Sequence, residues 1–246
     1  MAGRGGTMLE LRDLSGGYGD GSVLNGLSLT VEEGQVVALL GRNGAGKTTT
    51  MRAIFNLLPQ LTGSVTLRGE SLRGLAPYEV SQRGVALVPQ GRRIFPSLTV
   101  EENLLIGARP PRSDTNLRWT VDEIYSLFPV LRERGRVRGT LLSGGEQQML
   151  TLARSLMTQP LLLLCDEPSE GLAPVMVDRV REVLQRLRAA GLSILLAEQN
   201  LDLALSVADV AYIIEEGRVI WHGTSAELLA NEDVQATYLG IRIQED

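Results

Sequence analysis

Residues 41–48 read GRNGAGKT, a complete G-x-x-x-x-G-K-[ST] run, and no other feature of the chain narrows its possible folds so far. The run follows VVALL at 36–40, a continuous apolar stretch that suits a strand buried on both faces. A helix is expected from residue 47 to about 57. Strand, glycine-rich curl and helix start together aim several backbone N–H groups and the positive end of a helix dipole at one point, where a phosphate can sit. Lys47 is then placed to reach the β- and γ-phosphates of a nucleotide, and the Thr48 hydroxyl to coordinate Mg²⁺. The expected nucleotide-binding run is Gly41, Arg42, Asn43, Gly44, Ala45, Gly46, Lys47, Thr48 and Thr49. Composition supports it independently: the chain has 24 Lys and Arg residues, and Lys47 is the only lysine. A chain that uses arginine everywhere else keeps a lysine where a compact ammonium works and a planar guanidinium does not.

Around this loop the apolar pattern switches between strand and helix. Residues 8–12 (MLELR) and 24–31 (LNGLSLTV) alternate as strands do, and 64–67 and 85–88 are further short strands. From about 96 to 156 the strand pattern gives way to helices joined by Pro- and Arg-containing loops. Strands return at 161–166 (LLLLCD), 193–198 (SILLAE) and 210–215, with helical periodicity over 173–189. This βαβ rhythm implies an α/β core with a parallel sheet, interrupted by a helical segment and then resumed. Glycine-rich residues 1–7 are expected to be disordered, residues 8–240 to form one domain, the stretch after about 224 to be short helices, and residues 241–246 to be a tail.

Asp166 and Glu167 close the apolar run at 161–165. Burying charge is costly, so two adjacent acids there need a reason. In a phosphate-loop protein the first acid at such a strand end binds Mg²⁺, and the second lies near the γ-phosphate, where it can polarise water as a general base. The plain alternative is a strand that ends with its acids in solvent. Residues 142–148 read LSGGEQQ. Ser143 with Glu146 three residues on matches a helix capping box, and a capped helix start with two glycines, Gly144 and Gly145, is also an anion site.

Several function classes drop out. The net charge of −5 argues against non-specific nucleic-acid binding, which runs on phosphate neutralisation. One cysteine, Cys165, and one histidine, His222, exclude an internal disulfide and a Cys/His zinc site. Cys165 reads as a core residue and His222 as surface packing. No apolar run approaches the ~18 residues of a membrane span, and residues 1–7 lack the apolar stretch of a secretory signal. The expected location is therefore cytoplasmic, with any membrane link made through a partner.

GRNGAGKT, then Gln90, then LSGGEQQ, then LLLLCDEP, in this order, resemble the ATP-binding subunits of ABC transporters, and the resemblance runs along nearly the whole chain from Met8. It implies a P-loop NTPase core with a mostly parallel sheet, an N-terminal antiparallel β portion and an inserted helical subdomain at about 96–156. It implies ATP and Mg²⁺ as ligands, with Thr48, Gln90 and Asp166 at the metal and Lys47, Glu167 and Gln199 in catalysis. Such subunits pair head to tail, so Ser143, Gly144, Gly145 and Glu146 are implied to meet ATP held by the partner subunit. Tyr18 falls where the family has an aromatic that stacks on adenine; taken alone it is a tyrosine in a turn. The resemblance further implies two transmembrane permease subunits, one of whose cytoplasmic helices docks in a groove of the helical subdomain, and a place on the inner face of the cell membrane. Arg132, Arg134, Arg136 and Arg138 then read as a solvated face or as a contact with the membrane subunit, and Arg92 and Arg93 as partner contacts.

Two departures narrow the branch. Most members have histidine where this chain has Gln199, which either orients water or phosphate or marks a weakly hydrolysing site. The segment after DEP reads Ser169-Glu170-Gly171-Leu172, without the usual aspartate. With VPQGRRIFPSLTVEENLLIGA at 88–108, AEQN at 197–200 and YLG at 238–240, these features resemble the ATPase of high-affinity branched-chain amino-acid importers, second ATPase subunit type. The urea and short-chain-amide importer ATPase is a close relative. That branch pairs two different ATPase subunits, although a homodimer stays open, and works with a periplasmic binding protein. A regulatory nucleotide-binding module with little turnover is the alternative of another class. DNA-repair relatives carry long coiled-coil insertions for which this chain has no room.

Overall fold

A computed structural model describes residues 6–19 and 21–239. The expectations for residues 1–5 and 240–246 lie outside it; Thr7 already opens the first strand, paired with Glu32. Strands β1 (Thr7–Tyr18), β2 (Gly21–Glu32), β4 (Gln60–Leu67) and β5 (Glu70–Ser71) form an antiparallel sheet in the order β2-β1-β4-β5. In the second sheet β3 (Val36–Leu40), β6 (Val85–Val88), β7 (Leu162–Asp166), β8 (Ser193–Glu198) and β9 (Val210–Glu215) run parallel. An antiparallel edge strand, β10 (Arg218–Thr224), completes the order β10-β9-β3-β8-β7-β6.

The continuous apolar runs follow from double burial. In β3, Val36, Ala38 and Leu40 join one core and Val37 and Leu39 the other. In β7 the division is Leu163 and Cys165 against Leu162 and Leu164, and in β8 Ile194 and Leu196 against Leu195 and Ala197. One core lies between the parallel sheet and the antiparallel sheet with α1 (Lys47–Ile54). The other joins the opposite sheet face to the helical segment. Because side chains alternate with period two and both faces are covered, the interiors of these strands are apolar throughout.

The helical segment holds α3 (Val100–Gly107), α4 (Val121–Leu127), α5 (Pro129–Glu133) and α6 (Gly144–Leu156), after α2 (Pro77–Gln82). Capping boxes start three of them: Thr99 with Glu102, Thr120 with Glu123, and Ser143 with Glu146. Each cap of this kind stabilises by about 1 kcal/mol. Asn103 is fully buried yet satisfied: its amide donates to the carbonyls of Phe95 and Thr99 and its Oδ1 accepts from Phe95 N–H, pinning the loop after β6 to α3. Beyond it come α7 (Pro174–Ala189), α8 (Leu201–Val207), α9 (Ser225–Leu229) and α10 (Glu232–Val234). Among the described residues no helix is long and apolar enough to cross a membrane.

The structure differs from the sequence reading at several elements; β4, expected over 64–67, begins at Gln60. α1 stops at Ile54 rather than about 57, because Asn56 turns to φ 53° and donates its amide to the carbonyls of Leu72 and Leu75. β1 continues to Tyr18 rather than ending at 12; register shifts between Leu11 and Gly16 break the alternation that would have revealed it. α2 and β10 escape the reading, the first for its six residues and the second as a half-buried edge strand.

Candidate functional site

Parallel strands end at one edge of the sheet, and ligands bind in the crevice outside those ends. Here β3 leads into residues 41–46, β6 into Gln90, β7 into Asp166 and Glu167, and β8 into Glu198 and Gln199. Register sets their levels: Leu40 lies opposite Glu198, and Asp166 opposite Ala197.

Gly46 is the residue before α1, at φ 112°, a conformation that favours glycine. No side chain caps this helix start. Gly44, Gly46, Lys47, Thr48 and Thr49 line a cleft of about 350 Å³ together with Asn43, Gln90 and Glu167. A second cleft of about 520 Å³ adjoins it, lined by Gly41, Arg42, Asn43, Glu198, Gln199 and Asp202. Lys47 is 4% exposed. Its Nζ donates to the carbonyls of Gly41 (2.7 Å) and Arg42 (3.1 Å) and pairs with Glu167 Oε1 at 3.1 Å. Ala45 and Thr49 are buried beside it.

The two acids do not face solvent: Asp166 is 4% and Glu167 8% exposed. The Thr48 hydroxyl donates to Asp166 Oδ1 at 3.0 Å. Burial pushes the Asp166 carboxyl above its ordinary range, against the Thr48 hydrogen bond and with the help of the neighbouring Glu167 charge. Glu167 takes a left-handed backbone, φ 49°, held by its N–H to the Ala197 carbonyl. Its carboxylate meets Lys47, Gln90 Nε2 (3.3 Å) and Gln199 Nε2 (2.9 Å). Gln90 also donates to Glu170, and Gln199 to Asn43.

Two members of this cluster escape the sequence reading. Glu198 reads as a strand end, yet it is 2% exposed and its carboxylate collects three backbone N–H groups. An acid closing an apolar strand is the same anomaly that marks Asp166, and it would have flagged Glu198. Burial raises the Glu198 carboxyl, with the bonds from Ser169, Asn200 and Gln199 pulling the other way. The other is Arg52, whose Nη1 donates to the Tyr18 hydroxyl at 3.0 Å and whose guanidinium lies 5.9 Å from that ring. Tyr18 itself is 40% exposed at the end of β1.

Ser143, Gly144, Gly145 and Glu146 lie apart from the phosphate-loop cleft. Ser143 and Glu146 line a different cleft, of about 500 Å³, with Phe128, Met149, Met176 and Arg179. Ser143 N–H donates to Glu146 Oε2 at 2.7 Å, and Glu146 N–H to Ser143 Oγ at 3.3 Å. Burial raises the Glu146 carboxyl, but the Ser143 bonds and the Arg134 charge outweigh it and hold it below the usual range. The Arg92 guanidinium packs closely on Gly144, where a Cβ would come within 2.3 Å of it and displace it. Arg92 in turn donates to the Gly171 carbonyl at 3.0 Å.

Arg132, Arg134, Arg136 and Arg138 are exposed, with Arg132 paired to Asp122 and Arg134 to Glu146. Cys165 is fully buried in β7, and burial pushes its thiol far up. His222 stacks on Tyr212, ring centroids 5.5 Å apart.

The donor set fits a nucleotide carrying a hard cation. The Thr48 hydroxyl and Asp166 carboxylate are paired oxygen donors, and a buried carboxylate with a single hydroxyl partner is a group that a cation would relieve. A buried ammonium beside an uncapped helix start suits phosphate oxygens. Residues 24–170 match the ABC transporter family. The chain is 42% identical to the high-affinity branched-chain amino acid transport ATP-binding protein BraG of Pseudomonas aeruginosa, over 95% of this chain and 100% of that one. It is 35% identical to the lipopolysaccharide export system ATP-binding protein LptB of Haemophilus influenzae, over 95% and 98%. A nucleotide-free ATP-binding cassette from an ABC transporter superposes with a TM-score of 0.80 at 25% identity, over 96% of this chain and all of that one. Fold, phosphate loop and relatives agree: the chain belongs to the ABC transporter family, as one of its ATP-hydrolysing, ATP-binding subunits.

Proposed function

We propose that the chain hydrolyses Mg²⁺-ATP at a site completed by a second ATPase subunit, and that this powers uptake of branched-chain amino acids through two membrane permeases. The observation that carries the chemistry is Glu167: a buried carboxylate that follows Asp166 directly and is held by Lys47, Gln90 and Gln199. Lys47 exchanges its bonds to Gly41, Arg42 and Glu167 for β- and γ-phosphate oxygens. That exchange frees Glu167 to accept a proton from the attacking water. Thr48 and Asp166, with Gln90 beside them, would hold Mg²⁺, which supplies positive charge to the phosphate oxygens. Gln199 donates to Glu167 and Asn43 and so orients the base or the water, as a glutamine can without carrying charge. Tyr18 offers a ring to adenine. Ser143, Gly144, Gly145 and Glu146 serve the ATP of the partner subunit.

Uptake of branched-chain amino acids, the inner-face location, a periplasmic binding protein and a heterodimeric ATPase pair rest on likeness to BraG, at 42% identity. Export of lipopolysaccharide is the second reading, favoured by likeness to LptB at 35%. The test reconstitutes the chain with its permease partners in lipid and follows Mg²⁺-ATP hydrolysis. Stimulation by a leucine-loaded binding protein alone is the expected result. Stimulation by a urea-loaded one alone overturns the substrate, and stimulation by lipopolysaccharide overturns the direction. Tight ATP binding with no hydrolysis under any condition makes the chain a regulatory module.

A further inference from the structure

We propose that Glu198 is a positioning residue that ties the loop at 169–171 to Gln199, so that displacement of the loop moves the Gln199 amide relative to Glu167. The proposal rests on the reading of Gln199 and Glu167 given above. Glu198 ends β8 with 2% of its surface exposed. One carboxylate oxygen accepts the Ser169 N–H at 3.0 Å, and the other accepts the N–H groups of Gln199 (3.0 Å) and Asn200 (3.1 Å). The side chain therefore bridges two segments that follow different strands. A second tether runs alongside it, from Glu167 N–H to the Ala197 carbonyl at 2.9 Å.

The two ends of the bridge differ. Asn200 is fixed, because its Oδ1 caps α8 through Leu203 N–H at 3.0 Å. The 169–171 loop collects signals from elsewhere: Glu170 accepts from Gln90 at 2.8 Å, and the Gly171 carbonyl accepts from Arg92. Arg92 also packs on Gly144 at the start of α6. A contact made at α6 or at the loop after β6 thus reaches Ser169, crosses Glu198 and arrives at the Gln199 side chain, 2.9 Å from the Glu167 carboxylate. Only a carboxylate serves both arms. A glutamine has one acceptor oxygen, and its NH₂ end would face a backbone N–H.

The two arms separate in Glu198→Asp. An aspartate still accepts from the N–H two residues on, as in an Asx turn, but its shorter arm falls short of Ser169. Steady-state hydrolysis and ATP affinity of the full chain are measured for Glu198→Asp, Glu198→Gln, Gln199→Ala and the Glu198→Asp/Gln199→Ala double variant. Both Glu198 variants are expected to lower kcat about tenfold while ATP affinity stays within about twofold, a split typical of lost transition-state positioning. The double variant is expected to be no slower than Gln199→Ala, because the two residues act as one unit. Should Glu198→Gln fail to fold, Glu198→Asp keeps the charge and the local cap and carries the test. A full-rate Glu198→Asp chain beside a slow Gln199→Ala chain overturns the coupling alone, as do losses that multiply in the double variant. A Gln199→Ala chain at full rate overturns the reading of Gln199 and the coupling with it.

Discussion

The chain has two glycine-bearing helix starts with anion-site character, and it finishes only one of them. α6 begins at Ser143, whose side chain and that of Glu146 satisfy each other's backbone N–H groups. α1 begins at Gly46 with no side-chain cap. The α6 start is complete without any ligand. The α1 start forgoes a cap that would contribute about 1 kcal/mol, and beside it the chain buries an ammonium and two carboxylates. A glycine-bearing helix start can therefore be capped by its own side chains or left uncapped, and α6 and α1 show one of each.

Substitutions on the two sides should behave differently, and the largest effect should come from Glu167. Glu167→Gln is expected to cut turnover by about 100-fold or more, the scale of a lost general base, with ATP still bound. Phosphate release and light scattering together would show an ATP-bound pair that no longer resets; unchanged turnover would remove Glu167 from the chemistry. Next comes Lys47→Ala, which removes a charged donor from the open start. ATP binding should weaken by about 10- to 100-fold, from a charge-assisted bond of about 1.5–3 kcal/mol. Calorimetric titration of the isolated chain measures it.

Ser143→Ala tests the closed start. It should cost about 1 kcal/mol of stability and leave ATP affinity of the isolated chain alone. If Ser143→Ala weakened binding as Lys47→Ala does, the two starts would not be separate sites and the contrast would collapse.

The smallest effect sharpens the comparison through pH. Burial raises the Asp166 carboxyl in the folded chain. Its stabilising contribution is therefore complete below the ordinary carboxylate range and is lost as pH rises through the elevated folded value. Asp166→Asn should raise the melting temperature of the nucleotide-free chain at neutral pH by about 2–4 °C and flatten this part of the pH dependence. Glu198, raised in the same way, leaves a residual slope of the same sign.

Much of this was legible because burial on two faces leaves an unmistakable pattern. β3, β8 and β9 have the bounds that their apolar runs and flanking residues predict, 36–40, 193–198 and 210–215. The phosphate loop and the Asp166–Glu167 pair stand at the ends of such runs, so the pattern located the site as well as the strands. β10 was harder: its turn, Glu216 and Gly217 at positive φ, is a recognisable hairpin signal, but its residues are only half buried. Glu198 and Arg52 were missed for another reason. Their importance lies in partners distant along the chain, Ser169 and Tyr18, and no local spacing encodes those contacts.

Lys47 being the only lysine has a practical consequence. Apart from the α-amino group, an amine-reactive acylating reagent has one target in the whole chain, and that target is the side chain at the centre of the phosphate loop. Its ammonium is sequestered by two carbonyls and a carboxylate, so the acylation rate measures how often those contacts open. Mass spectrometry of a single peptide would follow that opening, and its suppression by nucleotide, with no engineered label. The composition that singled out the residue makes it a built-in reporter of site occupancy.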